Sequence, residues 1–440
     1  MKYSNDTINR FRIRKYIKLL CLKSALLFLI ASCSFFKEKV RPIVHRTKVE
    51  TIVIDEVLPE SEITIREENH ARYSLQKPVL GIERIYLFVD SLKGKKIAVV
   101  GNQTSTIGSV HLVDTLLAMQ LNVVKVFAPE HGFRGEADAG EKVASSIDEK
   151  TGLPLISLYG NNKKPTPDQL ADVDIVIYDI QDVGVRFYTY ISTLHYVMEA
   201  CAEQKKQLVV LDRPNPNGHY IDGPVRTAGY KSFVGMHPVP IVYGMTIGEY
   251  AMMINGEGWL NDSLSCKLWV IACRHYAHKT KYILPVPPSP NLRSELAVAL
   301  YPSLCLFEAT TVSVGRGTNK PFELFGHPNF PPTNFQFTPT SMPGAKNPLH
   351  ENKVCYGFDL IKAHQRRRYE INLNYLIQAR DLLGDSIRFI DQPSFFNRLA
   401  GNNKLVEQIQ AGFSAQEIRK TWEPELEAFK KIRMKYLLYN

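Results

Sequence analysis

Residues 97–104 read Ile97-Ala98-Val99-Val100-Gly101-Asn102-Gln103-Thr104. Four consecutive apolar residues stop at a glycine and three polar side chains. A strand apolar on both faces belongs inside a parallel sheet with helices covering each side. The residues that follow agree: Leu112, Val113, Leu116 and Leu117 fall on one face of a helix. The alternation then repeats. Residues 123–128, 174–178 and 207–211 are further apolar runs of strand length, and residues 239–242 are a shorter one. Between them Ile191, Leu194, Met198 and Cys201 mark a helix. Thr246-Ile247-Gly248-Glu249 has the form of a capping box opening another. Strands alternating with helices predict an α/β fold with a doubly wound parallel sheet over residues 80–287.

The segment Pro285-Val286-Pro287-Pro288-Ser289-Pro290 breaks the pattern, and a boundary is placed there. Residues 288–440 mix helices with a few strands and predict a smaller α+β domain. Leu373, Leu376, Ile377 and Leu383 fit one helix, Ser414 to Glu417 caps a second, and Phe429 and Ile432 belong to a last one.

The N-terminus has a different character. Arg10, Arg12, Arg14, Lys15, Lys18 and Lys23 surround and precede an apolar run from Ala25 to Ile30, and Ile30-Ala31-Ser32-Cys33 follows. This is a basic region, an apolar region too short to span a bilayer, and a small-residue exit. It resembles a bacterial lipobox, so residues 1–33 are expected to be a lipoprotein signal with Cys33 as the lipidated residue. An exported protein held on a membrane of the cell envelope follows from that. Residues 34–79 are polar, without sustained period, and are expected to be a tether, with a short β-like run at residues 51–57. The formal charge is +10, of which residues 1–32 supply +6. The basic balance is therefore mostly a targeting feature, and no basic stripe with interleaved aromatics suggests nucleic-acid binding. Five of the seven cysteines lie beyond residue 33, with no Cys-x-x-Cys pair. That excludes a disulfide framework and a standard zinc site.

In a doubly wound sheet, ligands sit beyond the carboxyl ends of the strands. Four predicted strands lead there into loops dense in carboxylates, amides and guanidinium groups. These carry Asn102 and Gln103; Glu130, His131 and Arg134; Asp179, Gln181, Asp182 and Arg186; and Asp212, Arg213 and Asn215. Glycoside hydrolysis needs one carboxylic acid to protonate the leaving oxygen, and usually a second group to stabilise the cationic carbon. Amides and Arg suit sugar hydroxyls, and an Arg can hold a carboxylate-bearing sugar. The same inventory suits a carbohydrate-binding protein or a different hydrolase. Each residue also has a plainer role available: Glu130 as an ion-pair carboxylate, Asp182 as a helix cap, His131 as a packed ring, Arg186 and Arg213 as partners of Asp179 and Asp212. No Gly-x-Gly-x-x-Gly follows the first strand and no Walker loop exists, so no nucleotide cofactor is expected. His131, Glu136 and Asp138 match no standard metal spacing, and no metal is expected.

Longer motifs narrow the choice. Phe127-Ala128-Pro129-Glu130-His131-Gly132-Phe133-Arg134-Gly135-Glu136 and Asp179-Ile180-Gln181-Asp182-Val183-Gly184-Val185-Arg186-Phe187-Tyr188 are two of them. Leu211-Asp212-Arg213-Pro214-Asn215-Pro216, Pro288-Ser289-Pro290-Asn291-Leu292 and Val314-Gly315-Arg316-Gly317-Thr318 follow in order. From about residue 80 to the C-terminus the chain resembles the bacterial exo-β-N-acetylmuramidases of the NamZ type. The resemblance implies a Rossmann-like N-terminal domain, a smaller C-terminal domain and an active-site cleft between them. It implies removal of N-acetylmuramic acid (MurNAc) from the non-reducing ends of peptidoglycan fragments, without a cofactor. Glu130 then becomes the expected general acid, with Asp182 and Glu308 as candidates for the second carboxylate and the substrate's own 2-acetamido group as the alternative to one. Asn102, Gln103, His131, Arg134, Gln181, Arg186, Arg213, Asn215 and Arg316 are the expected substrate-binding residues. One departure is expected to matter: Glu308-Ala309-Thr310-Thr311 stands where the family pattern is Glu-Gly-Thr-Asn, and a glycine there suggests a positive φ.

Overall fold

The structure, a computed structural model, describes residues 51–54, 76–133, 145–362 and 369–439. Eight strands form the main sheet: β1 (Thr51–Ile54), β2 (Ile97–Gly101), β5 (Val123–Ala128), β6 (Ser146–Ile147), β7 (Pro154–Ser157), β8 (Ile175–Asp179), β9 (Gln207–Leu211) and β10 (Lys267–Ile271). A small hairpin of β3 (Thr106–Ile107) and β4 (Val110–His111) interrupts the numbering. The order across the sheet is β1-β10-β9-β8-β2-β5-β7-β6, parallel except for β6. A second, antiparallel sheet joins β11 (Leu324–His327), β13 (Cys355–Asp359) and β12 (Gln336–Phe337) in that order. The chain is thus a doubly wound α/β unit followed by a smaller α+β region.

The apolar runs are continuous because both faces of the sheet are buried. Ala98 and Val100 of β2, with Val176 and Tyr178 of β8 and Leu208 and Val210 of β9, point into one core. Their neighbours Ile97 and Val99, Ile175 and Ile177, and Val209 and Leu211 point into another. Alternate side chains of a strand project to opposite faces, so a single run of β-branched residues fills both cores. The first core also takes up the helices Tyr190–Glu203 and Ile247–Gly256, and it continues without a break through Leu296 and Phe307 to Phe429. The boundary at residues 285–290 therefore divides sheets, but it does not divide the buried apolar volume. The five cysteines beyond residue 33 are buried free thiols.

One reading of the chain is corrected. Residues 239–242 form no strand. Val242 makes isolated bridges to Val185 and Asp222, and the carbonyls of Val239 and Ile241 accept from the Arg186 side chain and backbone N–H. The next strand is β10, whose exposed Lys267 and half-exposed Trp269 blur the apolar run. Within the segment expected to be a tether, the β-like run at residues 51–57 supplies a strand of the main sheet. Residues 51–54, placed within it, add β1 to the sheet edge in parallel register, Thr51 opposite Leu268 and Ile54 opposite Ile271. Val79 then pairs with Arg274 through both backbone hydrogen bonds. Residues 1–50 and 55–75, with Cys33, lie outside the described residues.

A truncation series tests this edge. A chain starting at residue 51 should melt with the mature protein. One starting at residue 80 exposes β10 as a new edge and should melt several degrees lower and aggregate more readily. Equal melting temperatures would show that β1 contributes nothing.

Candidate active site

Strand β5 is buried to its last residue and ends in Pro129-Glu130-His131-Gly132. The Gly132 N–H donates to the Pro129 carbonyl at 3.0 Å, closing a four-residue turn. His131 is its third residue, with φ of 70°, and Gly132 follows at 76°. A non-glycine residue there costs on the order of 1 kcal/mol, and such strain persists where the surroundings hold it. The turn leaves Glu130 half-buried at the sheet edge. Its Oε2 accepts from Thr189 Oγ1 at 2.9 Å. The Tyr159 phenol is also hydrogen-bonded to it, and burial followed by the Glu130 charge pushes that phenol well above its usual range. Tyr159 is therefore a donor throughout neutral pH.

The neighbouring loops build a wall around this carboxyl. Asn102 is spent within it: Oδ1 accepts from Thr104 N–H at 2.9 Å and Thr104 Oγ1 at 2.6 Å, and Nδ2 donates to Tyr190 Oη at 3.0 Å. The Tyr190 phenol is pushed upward chiefly by burial and next by Glu130. Tyr188 donates to the Pro288 carbonyl at 2.7 Å, and its ring meets Tyr190 edge-on at 4.8 Å. Gln103 Nε2 reaches the carbonyls of Pro287 and Pro288 at 3.2 Å each. The proline-rich segment thereby lies over the loop after β2. Gln103 Oε1 and Gln181 Oε1 are buried without a hydrogen-bond partner, while Gln181 Nε2 donates to the carbonyls of Asp182 and Pro214 at 2.8 Å.

Several expected binding residues are built into the protein instead. Arg213 makes a bidentate ion pair with Asp179, at 2.6 and 2.9 Å, with both groups buried. Arg186 is fully buried and donates to the carbonyls of Pro224, Val239 and Leu399. Asn215 donates to the Met245 carbonyl at 2.8 Å and accepts from Asn217 N–H at 2.8 Å. Gly184, at φ of 75°, packs on that amide so closely that a Cβ would lie 2.2 Å from it. Asp182 is buried. Its Oδ2 accepts from Tyr243 and from the Gly184 N–H at 2.6 Å, and its Oδ1 has no partner. Burial pushes the Asp182 carboxyl up to about 6 against those donors.

Glu308 and Arg316 pair with each other, both about three-quarters buried, and the Arg316 guanidinium lies over Phe322. Tyr301 connects this pair to the Glu130 wall, packing on Phe322 at 5.0 Å and on Tyr188 at 6.0 Å. Ala309 has no positive φ, so the departure from glycine carries no backbone strain. Arg134, Glu136 and Asp138 lie outside the described residues. The groups that hold Glu130, Thr189 and Tyr159, were not singled out from sequence. Tyr159 had a signal, since it lies just beyond β7 at the same sheet edge, but Pro154-Leu155-Ile156-Ser157 is short and half-exposed.

Residues 97–295 match the family described as Exo-beta-N-acetylmuramidase NamZ, N-terminal, and residues 299–439 match its C-terminal counterpart. Over 369 residues the chain is 41% identical to the peptidoglycan beta-N-acetylmuramidase NamZ of Bacillus subtilis (strain 168), covering 79% of this chain and 88% of that protein. Two crystal structures of DUF1343 family proteins from Bacteroides fragilis NCTC 9343 are similar throughout. One is 47% identical with a TM-score of 0.76, covering 83% of this chain and 99% of that one. The other is 28% identical with a TM-score of 0.72, covering 82% and 99%. With both halves matched in order, this chain belongs to the NamZ family of exo-β-N-acetylmuramidases.

Proposed function

We propose that this chain removes MurNAc from the ends of peptidoglycan fragments, with Glu130 as the proton donor. The observation that carries the assignment is a half-buried carboxyl on a strained turn at the carboxyl edge of the sheet, oriented by the hydroxyls of Thr189 and Tyr159. In the reaction the Glu130 proton passes to the glycosidic oxygen as that bond breaks. Water supplies the hydroxyl at the anomeric carbon and releases one proton. The B. subtilis relative named for this activity supports the substrate class.

Glu130→Gln keeps the hydrogen bonds but carries no transferable proton. kcat on a substrate with a poor leaving group should fall by ~10²–10⁴-fold, and less with a phenolate leaving group. A folded variant that hydrolyses both at the parent rate removes Glu130 from the mechanism.

Asp182 is better suited to holding its loop than to chemistry, because its carboxyl is sealed beneath Tyr243. Its folded pKa lies above the usual carboxylate value, so the folded state binds the proton more tightly. That contribution to stability is full below about 4 and lost as pH rises through about 6. Asp182→Asn has no such loss. Its stability relative to the parent should therefore improve between pH 5 and pH 8 in urea unfolding. A difference that does not change with pH would contradict the buried-acid reading.

Export and lipidation at Cys33 complete the proposal, and they place the enzyme on the cell envelope beside its polymeric substrate. The support is the Ile30-Ala31-Ser32-Cys33 exit after an apolar run. Cys33→Ala should move the protein from the membrane fraction to the soluble fraction. Retention in the membrane would mean that the segment itself is the anchor.

A further inference from the structure

A sugar that carries a carboxylate needs a cation near the reacting carbon. Among the described residues, the arginines first considered for that task are engaged elsewhere: Arg213 with Asp179, Arg186 with backbone carbonyls, and Arg316 with Glu308, while Arg134 lies outside the described residues. Lys163 is differently placed. It lies in the loop after β7, half-buried, and makes no ion pair among the described residues. Its ammonium sits 4.7 Å from the centre of the Phe233 ring. Phe233 stacks on Tyr196 at 6.3 Å and lies 6.4 Å from Tyr159, the residue hydrogen-bonded to Glu130.

The surroundings fix this group. Lys164, the next residue, is tied to Glu199 and Glu203 of the helix Tyr190–Glu203, at 2.7 and 2.6 Å. Asn162 donates to the Ser157 carbonyl at 2.8 Å. With both neighbours anchored, the Lys163 side chain is committed to the Phe233 side of the loop. The Phe233 carbonyl accepts from Ser192 Oγ at 2.6 Å, on the same helix that carries Thr189 at its N-cap and Tyr196 one turn on. Three half-exposed aromatic rings, of which only Tyr196 belongs to the helix itself, and one cation are thus assembled beside the helix whose N-cap residue Thr189 bonds Glu130. A cation–π contact at a partly exposed site is weaker than a charge-assisted hydrogen bond to a carboxylate. The ammonium is held loosely enough for an incoming carboxylate to take it.

We propose that Tyr159, Tyr196 and Phe233 form the shelf on which the MurNAc ring packs, and that Lys163 binds its lactyl carboxylate. The apolar face of a pyranose suits such rings, and only the lactyl group distinguishes MurNAc from N-acetylglucosamine (GlcNAc) in charge. Lys163 is then the residue that selects the carboxylate-bearing sugar. This rests on the muramidase reading given above.

The test compares the purified parent with Lys163→Ala and Lys163→Arg, using chromogenic β-glycosides of MurNAc and GlcNAc. Calorimetric binding of the two free sugars is measured alongside. In Lys163→Ala the MurNAc-over-GlcNAc ratio of kcat/KM should fall about tenfold or more, mostly through KM, and Lys163→Arg should restore most of it. If the parent hydrolyses MurNAc glycosides and the ratio is unchanged in Lys163→Ala, the assignment of Lys163 is wrong and the muramidase reading stands. If the parent hydrolyses neither glycoside but binds MurNAc in a Lys163-dependent way, the subsite stands and the hydrolytic reading falls. A parent that binds and hydrolyses neither overturns both.

Discussion

The Asp212 carboxylate holds together the edge on which the site is built. Buried at the end of β9, it accepts from the Arg213 and Gly248 N–H groups at 3.0 and 2.8 Å, and from Thr246 Oγ1 at 2.8 Å and Tyr439 Oη at 2.5 Å. Its own backbone carbonyl accepts from Gly81 at 2.9 Å. One residue thereby joins a strand end, the start of the helix Ile247–Gly256, the segment leading into the sheet, and the end of the chain. A buried charge is tolerable only when such donors replace water. Here the requirement becomes a positional constraint on four segments far apart in sequence.

The same economy explains why so many polar residues at this edge are bonded within the protein. A parallel sheet collects its loop termini at one end, and each turn there leaves backbone groups without ladder partners. Arg186, Asn215 and Asn217 satisfy them, and the Arg213–Asp179 pair staples the ends of β9 and β8. Removing one member of such a pair strands the other in a dry interior, at a cost of about 3–5 kcal/mol. These residues make the edge rigid. Rigidity is what the proposed proton donor on its strained turn requires, because proton transfer depends on sub-ångström placement.

The C-terminal region is part of the same buried framework. Its apolar residues continue the larger core of the sheet domain, and the Leu399 carbonyl accepts from Arg186. The proline-rich crossing is held by Tyr188 and Gln103 from two different strand ends. The wall around Glu130 is therefore composed by both halves of the chain.

Much of the fold could be read from the chain because it depends on local pattern. Apolar runs of strand length, amphipathic helices, and the capping boxes at Thr246 and Ser414 are set by neighbours within a few residues, and the structure forms them there. The position of Glu130 at the sheet edge was also legible, since its place after a buried strand and its Pro-Glu-His-Gly setting are local facts. The pairing of β1 was not, because four residues in a polar segment gain a strand's hydrogen bonds only from β10, more than two hundred residues away. Nor were the roles of the arginines: a guanidinium has the same sequence signature whether it meets a substrate or a buried carbonyl. Thr189 lies 59 positions from Glu130, Tyr159 and Lys163 share the loop after β7, and Phe233 comes from another loop some seventy positions on. Only the packing of these loops against one helix decides that they meet, because contacts between distant segments are fixed by what the closed core leaves adjacent.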